Sequence, residues 1–249
     1  MIRSTPALSA CALLALVLVA GCRRHKSAPT ETNPAPSATS AVHGGSDVAT
    51  APIVLTCKPV DCSDEGDKYA EGTGGVAVDL PKALLYYARA CETGFALGCR
   101  DQAGLLLTGE GIPHDSAKAL ALYTRACTTL ALACDDLGDV YLQGLGGVPT
   151  DPAKAATMYQ KACDDGLDEG CGHIASLYRK GTGVKQDSAK AIALYDRGCT
   201  AGSDLSCDAL GDMYAKGMGV PVDRAKAVTY YMKACNGGFS LGCDHAKGR

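Results

Sequence analysis

The sequence has no excess of charge of either sign. It contains 24 Lys and Arg residues and 27 Asp and Glu residues, which give a formal net charge of −3 over 249 residues. Proteins that bind nucleic acids or anionic lipid surfaces by electrostatic attraction carry clustered basic residues. The composition therefore favours neither partner, and we expect no nucleic acid and no membrane contact through basic side chains.

The sequence also has no apolar run long enough for a comfortable transmembrane helix, which needs roughly twenty residues. The run at 7–20 has about fourteen residues, and the positively charged Arg3 precedes it. These features predict a signal segment at residues 1–21 instead of a membrane span. The run ends in Val19-Ala20-Gly21-Cys22, which resembles the bacterial lipobox, whose cysteine is lipidated and becomes the mature N-terminus. The alternative is an ordinary secretory signal that ends near a cysteine.

The lipobox resemblance implies that Cys22 carries acyl chains, which tether a protein to a membrane but leave it otherwise soluble. Arg23 follows this cysteine, and by analogy with enteric lipoproteins the lack of Asp there favours the outer membrane. We therefore expect a protein of the bacterial cell envelope, in the outer membrane or periplasm, with secretion as the alternative. Residues 22–56 are rich in Pro, Ser, Ala and Thr, which predicts a flexible linker before a folded domain at 57–249.

Cysteines recur with a fixed period in the predicted domain. Five of them lie thirty-six residues apart, and a second cysteine follows each after seven or eight residues. A period of this length is typical of stacked repeat proteins. With one further pair they form six neighbouring pairs without remainder, which predicts disulfide bonds and an oxidising compartment. The pairs are Cys57 with Cys62, Cys91 with Cys99, Cys127 with Cys134, Cys163 with Cys171, Cys199 with Cys207, and Cys235 with Cys243.

Zinc binding and free thiols are the alternatives for these cysteines. A structural zinc ion needs about four ligands in a tight tetrahedron. Each cysteine pair has its nearest neighbouring pair a full repeat away, so the spacing does not readily build such a site. The spacing therefore favours disulfide bonds over metal.

Each repeat carries further residues at fixed positions. A small residue lies four positions after the second cysteine and a glycine lies ten positions after it, which predicts a helix of about ten residues that ends at the glycine. After a glycine-rich turn, an aspartate predicts the N-cap of a second helix that presents an Ala and a Tyr on one face. The aspartates are Asp79, Asp115, Asp151, Asp187 and Asp223, and the tyrosines are Tyr87, Tyr123, Tyr159, Tyr195 and Tyr231.

This combination resembles the Sel-one-like repeat, a relative of the tetratricopeptide repeat. The shared features are the small residue, Tyr, Gly-x-Gly-Val, Asp, Lys-Ala, Tyr-Tyr and Ala-Cys, which recur over 57–249, with departures at Leu106 and Gly198. The cysteine pair in each repeat further resembles the Helicobacter cysteine-rich protein (Hcp) subfamily. The resemblance implies an all-α fold, an α-solenoid forming a right-handed superhelix. Its five helix-turn-helix repeats of about 36 residues would span about 62–98, 99–133, 134–170, 171–206 and 207–243.

The resembling subfamily is often labelled β-lactamase, so a hydrolase is the alternative to a binding scaffold. Serine β-lactamases have a Ser with a Lys three residues further on; this sequence lacks that spacing, and its five histidines are scattered. The segment Gly238-Phe239-Ser240-Leu241-Gly242 matches the Gly-x-Ser-x-Gly elbow, but that elbow requires a preceding strand where this sequence predicts a helix. We therefore expect no catalytic residue, no metal and no cofactor.

The repeat pattern favours a scaffold that binds a peptide or protein partner. Stacked helix pairs form a curved array, and we expect the first helix of each pair to line its concave face. We expect a monomer, with a purely structural spacer as a further alternative. The predicted partner-binding residues occupy solvent positions on the first helices and form a mixed face with an acidic middle: Arg100, Asp101, Asp135, Asp136, Asp139, His173, Ser176, Arg179, Asp208 and Asp212.

Overall fold

The computed structural model describes residues 56–109 and 111–248. Within these two ranges it contains eleven α-helices, one short 3₁₀ segment and no β-strand. The predicted signal segment, the lipidation site at Cys22 and nearly all of the predicted linker lie outside the described residues. No helix in the described ranges combines the length and apolar character that a membrane span would need.

The helices alternate in two sets, which we name A helices and B helices. Each helix packs mainly against its neighbours in the sequence, which is the arrangement of a solenoid and confirms the predicted all-α repeat fold. The A helices are α1 (Pro59–Glu71), α3 (Ala96–Thr108), α5 (Ala131–Gln143), α7 (Asp168–Lys180), α9 (Asp204–Lys216) and α11 (Ser240–Ala246). The B helices are α2 (Leu80–Glu92), α4 (Ser116–Ala126), α6 (Pro152–Asp164), α8 (Ser188–Thr200) and α10 (Arg224–Gly237).

Both predicted helix boundaries inside the repeat are confirmed. The glycine ten residues after the second cysteine is the left-handed C-cap of helices α1, α3, α5, α7 and α9, with φ between 65° and 72°. The predicted aspartate caps each B helix, because its carboxylate accepts a hydrogen bond of 2.9–3.0 Å from the backbone N–H three residues further on. These contacts satisfy backbone groups that a helix end leaves free.

The A helices are longer than the ten residues that the sequence predicted. Helices α1 to α9 of this set have 13 residues each, since each begins three residues before the second cysteine of its pair. A glycine with positive φ lies within the loop between a B helix and the next A helix in most repeats, as Gly94 does with φ 92°. The next A helix begins two residues after this glycine, which is three residues before the cysteine at which the sequence pattern placed its start.

All six predicted cysteine pairs are disulfide bonds. The Cys57–Cys62 bridge joins the segment before α1 to the first turn of α1, and each of the other five joins the end of a B helix to the first turn of the next A helix. Their Cα–Cα distances of 4.5–5.4 Å lie within the normal range for disulfides. The bridges therefore fix the connection between consecutive repeats.

The core depends on small residues that let helices approach closely. A Cβ added at Gly66 would lie 2.5 Å from the Tyr87 ring, and the same addition at Gly138 would lie 2.6 Å from the Tyr159 ring. Real Cβ atoms do not approach other atoms so closely, so the B-helix tyrosine packs directly on the A-helix backbone. This contact explains the small residue four positions after the second cysteine.

A second close contact explains the departure of Gly198 from the repeat motif. In three repeats an Ala before the first cysteine faces a Gly before the second, and a Cβ added at Gly98 would lie only 2.4 Å from the Cβ of Ala90. In the fourth repeat the glycine, Gly198, precedes the first cysteine, and the larger residue, Ser206, precedes the second. A Cβ added at Gly198 would lie 2.6 Å from the Oγ of Ser206. Each of these interfaces therefore has room for one side chain, which either helix can supply.

Candidate interaction surface on the A helices

The ten predicted partner-binding residues all lie on A helices, specifically on α3, α5, α7 and α9. The structure connects eight of them and adds Asp67 on α1 and His245 on α11, which the sequence pattern did not indicate. We name the combined set the polar row. It consists of Asp67, Arg100, Asp101, Asp135, Asp136, Asp139, His173, Asp208, Asp212 and His245.

One ion pair and two histidine–carboxylate contacts of the polar row connect consecutive A helices. The Nε of Arg100 on α3 donates to Oδ2 of Asp136 on α5 over 2.5 Å. The Nδ1 of His173 on α7 lies 2.8 Å from Oδ1 of Asp135 on α5. The Nδ1 of His245 on α11 lies 2.8 Å from an Asp208 carboxylate oxygen on α9.

These pairs follow a positional rule. The residue one position after the second cysteine in one A helix pairs with the residue two positions after the second cysteine in the next A helix. The rule leaves the α7–α9 interface without a pair, since Gly172 and Ala209 occupy its two positions. At the α1–α3 interface the two positions hold Ser63 and Asp101, and the buried Ser63 hydroxyl has no hydrogen-bond partner.

Tyrosine hydroxyls attach three further carboxylates of the polar row to B helices. The Tyr87 hydroxyl donates to Asp67 over 2.6 Å and the Tyr159 hydroxyl donates to Asp139 over 2.5 Å. The hydroxyl of Tyr231 donates to Asp212 in the same way over 2.7 Å. The sequence distinguishes the repeats that form this bond. In these repeats the small A-helix residue is a Gly followed directly by Asp, whereas the second and fourth repeats have Ala103-Gly104 and Ala175-Ser176.

Burial and neighbouring charges shift the ionisation of the polar row. Burial raises the pKa of Asp101 to about 6, although Arg100 opposes the shift. Burial also raises the pKa of Asp136, which shares the same arginine. The hydrogen bond to Asp135 raises the pKa of His173. Although burial favours its neutral form, hydrogen bonds from Lys216 and Tyr231 lower the pKa of Asp212.

One of the predicted solvent positions is wrong. Asp135 is only 6% exposed, because its carboxylate lies between helices and binds the imidazole of His173. His173 has the more open side chain of this pair, at 45% exposure. The other predicted residues are half-buried, including Ser176 and Arg179 on α7. The surface is therefore partly internally paired, with carboxylate edges and one imidazole open to solvent.

Of two clefts in the described part of the chain, one is lined in part by residues of the polar row and the other is not. A cleft of about 580 Å³ lies at the end of the row near α11, where Asp212, Tyr231 and His245 contribute to its lining. A second cleft of about 470 Å³ lies between the B helices α4 and α6, with Leu137 and Met158 among its lining residues. Only the first cleft includes residues of the polar row, so the predicted surface and the second cleft are separate features.

Ser240, the serine of the Gly-x-Ser-x-Gly segment, lies at the start of a helix. This serine is exposed and is the first residue of α11, and helix α10 precedes it. The Gly-x-Ser-x-Gly elbow therefore lies between two helices instead of following a strand. In the described ranges, no group of three or more His, Cys, Asp or Glu side chains is arranged to hold a metal ion.

The chain is similar to several solved structures. One is a protective antigen present in uropathogenic Escherichia coli strains that displays an SLR fold, with 28% identity and a TM-score of 0.66 over 76% of this chain and 40% of that chain. The match therefore spans less than half of the Escherichia coli protein. Another is a Sel1 repeat protein from Oxalobacter formigenes, with 26% identity and a TM-score of 0.65 over 77% of this chain and 76% of that chain.

A further similar structure is the Helicobacter pylori cysteine rich protein B, with 31% identity over 52% of this chain and 93% of that chain and a TM-score of 0.42. The comparison with curated protein sequences found no match. The family model described as Sel1 repeat matches five consecutive segments, 66–95, 95–128, 131–167, 169–203 and 205–239. These segments cover more than half of the chain, which therefore belongs to the Sel1 repeat family.

Proposed function

We propose that this protein is an exported repeat scaffold whose A-helix face binds a peptide or protein segment. Sel1 repeats generally serve as protein-interaction modules. The single observation that supports the use of this face is the polar row, which places partly open charged groups on successive A helices at a regular interval. A solenoid offers an extended partner such a series of contacts along one surface.

The charge of the polar row indicates the chemistry of the partner. Between α1 and α7 the row has five carboxylates, whereas Arg100 is its only permanent cation. Complementary charge steers association and suppresses wrong partners. We therefore propose a partner segment that carries Lys or Arg side chains and contacts the open carboxylate edges.

The disulfides support the proposed export. Six bridges within fewer than two hundred residues suit an oxidising compartment, since cytosolic proteins keep their thiols reduced. We propose that residues 1–21 direct export, that Cys22 carries a lipid anchor, and that 22–56 link the anchor to the repeat domain at 57–249. The protein would then work in the bacterial cell envelope, in the outer membrane or periplasm.

Partner capture from envelope extract tests the proposed surface. The double variant Asp139→Asn/Asp212→Asn removes two charges from the polar row, while each amide oxygen can still accept the hydrogen bond of its tyrosine. The matched control is Asp164→Asn on the B helix α6, which removes an exposed carboxylate that accepts a bond from Gln160. Because exposed charge pairs contribute up to about 1 kcal/mol each, we expect capture to fall by about threefold to tenfold in the double variant.

The control variant separates a loss of the A-helix surface from a general effect of removing a carboxylate. Asp164→Asn should capture the partner as well as the unaltered protein does, because it lies away from the A helices. Unchanged capture by Asp139→Asn/Asp212→Asn, measured on protein with an unchanged circular dichroism spectrum, would show that the polar row does not contact the partner.

A further inference from the structure

The N-terminal half of the polar row has too few cations for its carboxylates. The guanidinium of Arg100 serves two of them, with Nε 2.5 Å from Asp136 and Nη1 3.3 Å from Asp101. Because Asp136 lies on α5 and Arg100 lies on α3, this shared cation connects two consecutive repeats. The α3–α5 interface thus contains two carboxylates and one positive charge.

Burial favours the neutral form of Asp101, and two facing carboxylates add to this effect, although the neighbouring Arg100 opposes it. Asp67 faces it from α1 and Asp136 faces it from α5, so both neighbouring A helices present negative charge. The tyrosines that face it from the B helices, Tyr87 on α2 and Tyr123 on α4, supply no positive charge. Since the Asp101 side chain is only 18% exposed, water compensates little of this repulsion.

The groups that surround His173 favour its charged form. Asp135 binds its Nδ1 from α5, and Asp139 on the same helix and Glu169 on α7 add further negative charge. From α6, the Tyr159 ring packs against the imidazole with 4.9 Å between ring centroids. These three charged groups are all negative, so proton uptake by His173 strengthens the contact between α5 and α7.

We propose that this part of the polar row is a proton-responsive clamp, in which proton uptake below neutral pH tightens the stack of the first four repeats. At the α3–α5 interface, protonation of Asp101 removes its repulsion of Asp136 and leaves the Arg100 guanidinium to Asp136. At the α5–α7 interface, protonation of His173 creates an imidazolium–carboxylate pair with Asp135. All of these contacts lie within the chain, so the response to pH needs no partner.

The pKa values of three side chains in this part of the polar row are all raised. Asp101, Asp136 and His173 each have a pKa that is higher in the folded chain than the ordinary value. The folded state then binds more protons than the unfolded state, so stability rises as pH falls from 7.5 to 5.0 and is lost as pH rises again. With a pKa of about 6, Asp101 alone raises the folding equilibrium constant by about tenfold over this range.

Urea denaturation of the full disulfide-bonded chain at pH 7.5 and pH 5.0 tests the clamp. We expect the unaltered protein to have the higher urea midpoint at pH 5.0. Asp101→Asn mimics the protonated acid, so it should raise the midpoint at pH 7.5 and reduce the gain on acidification. His173→Gln should reduce the gain by removing the imidazolium, and the exposed control Asp164→Asn should keep the full gain.

A side-chain carboxyl titration of the folded protein by NMR provides a second measurement that needs no variant. It should show Asp101 titrating near pH 6. A urea midpoint that is unchanged or lower at pH 5.0, or a full gain that persists in Asp101→Asn, would overturn the proposal.

Discussion

At the scale of single residues, the volume of one methyl group decides how consecutive helices approach each other. Four of the five interfaces between a B helix and the next A helix pair one side chain with a glycine, either Ala with Gly or Gly with Ser206, and the distances there leave no room for a second side chain. The α4–α5 interface, whose loop is one residue shorter, instead has the buried Ala126 and Ala133 at these two positions. The sequence showed that Gly198 departs from the motif. It could not show which residue compensates, because the compensating Ser206 is identified only by the contact.

The variant Gly198→Ala tests this compensation. The added Cβ would lie 2.6 Å from the Ser206 Oγ, and such overpacking lowers the free energy of unfolding by about 1–3 kcal/mol. The double variant Gly198→Ala/Ser206→Gly recreates the pair found in three other repeats, so it should recover most of the loss. Urea denaturation of both variants measures the coupling, and equal destabilisation of the single and double variants would contradict the account.

At the scale of helices, the sequence predicted the ends inside each repeat better than the starts of the A helices. Glycine and aspartate have strong local preferences for the C-cap and the N-cap, so Gly144 and Asp151 identify two boundaries without tertiary information. The start of an A helix has no such residue in most repeats; Phe95 precedes α3 without a capping side chain. The disulfide and the packing of consecutive helices therefore determine this boundary.

Removal of one disulfide tests how firmly the bridges hold neighbouring helices. The pair Cys163 and Cys171 joins α6 to α7, and both residues are fully buried. Because the bridge restricts the unfolded chain, Cys163→Ala/Cys171→Ala should lower the free energy of unfolding by about 2–3 kcal/mol. Cys57→Ala/Cys62→Ala is the comparison, since that bridge joins the segment before α1 to the first turn of α1 and so connects no two helices. A larger loss from the Cys57–Cys62 pair, measured by urea denaturation, would contradict this assignment.

At the scale of the whole molecule, sequence periodicity identified the helices that carry the candidate surface but not the contacts between them. The predicted residues all lie on A helices, as expected. Their pairing was missed because Arg100 and Asp136, or Asp135 and His173, are 36 and 38 residues apart and belong to different repeats. For the same reason Asp135 was expected at the surface, although its partner on the next helix keeps it buried.

Site-specific photo-crosslinking in living cells tests the central claim, that the A-helix face holds the partner. A photoreactive amino acid would replace Ser176 on the A helix α7 in one variant and the exposed Thr157 on the B helix α6 in another. If the A-helix face binds the partner, a discrete crosslinked partner is expected from position 176 and none from position 157. A partner that crosslinks from position 157 but not from position 176 would contradict it.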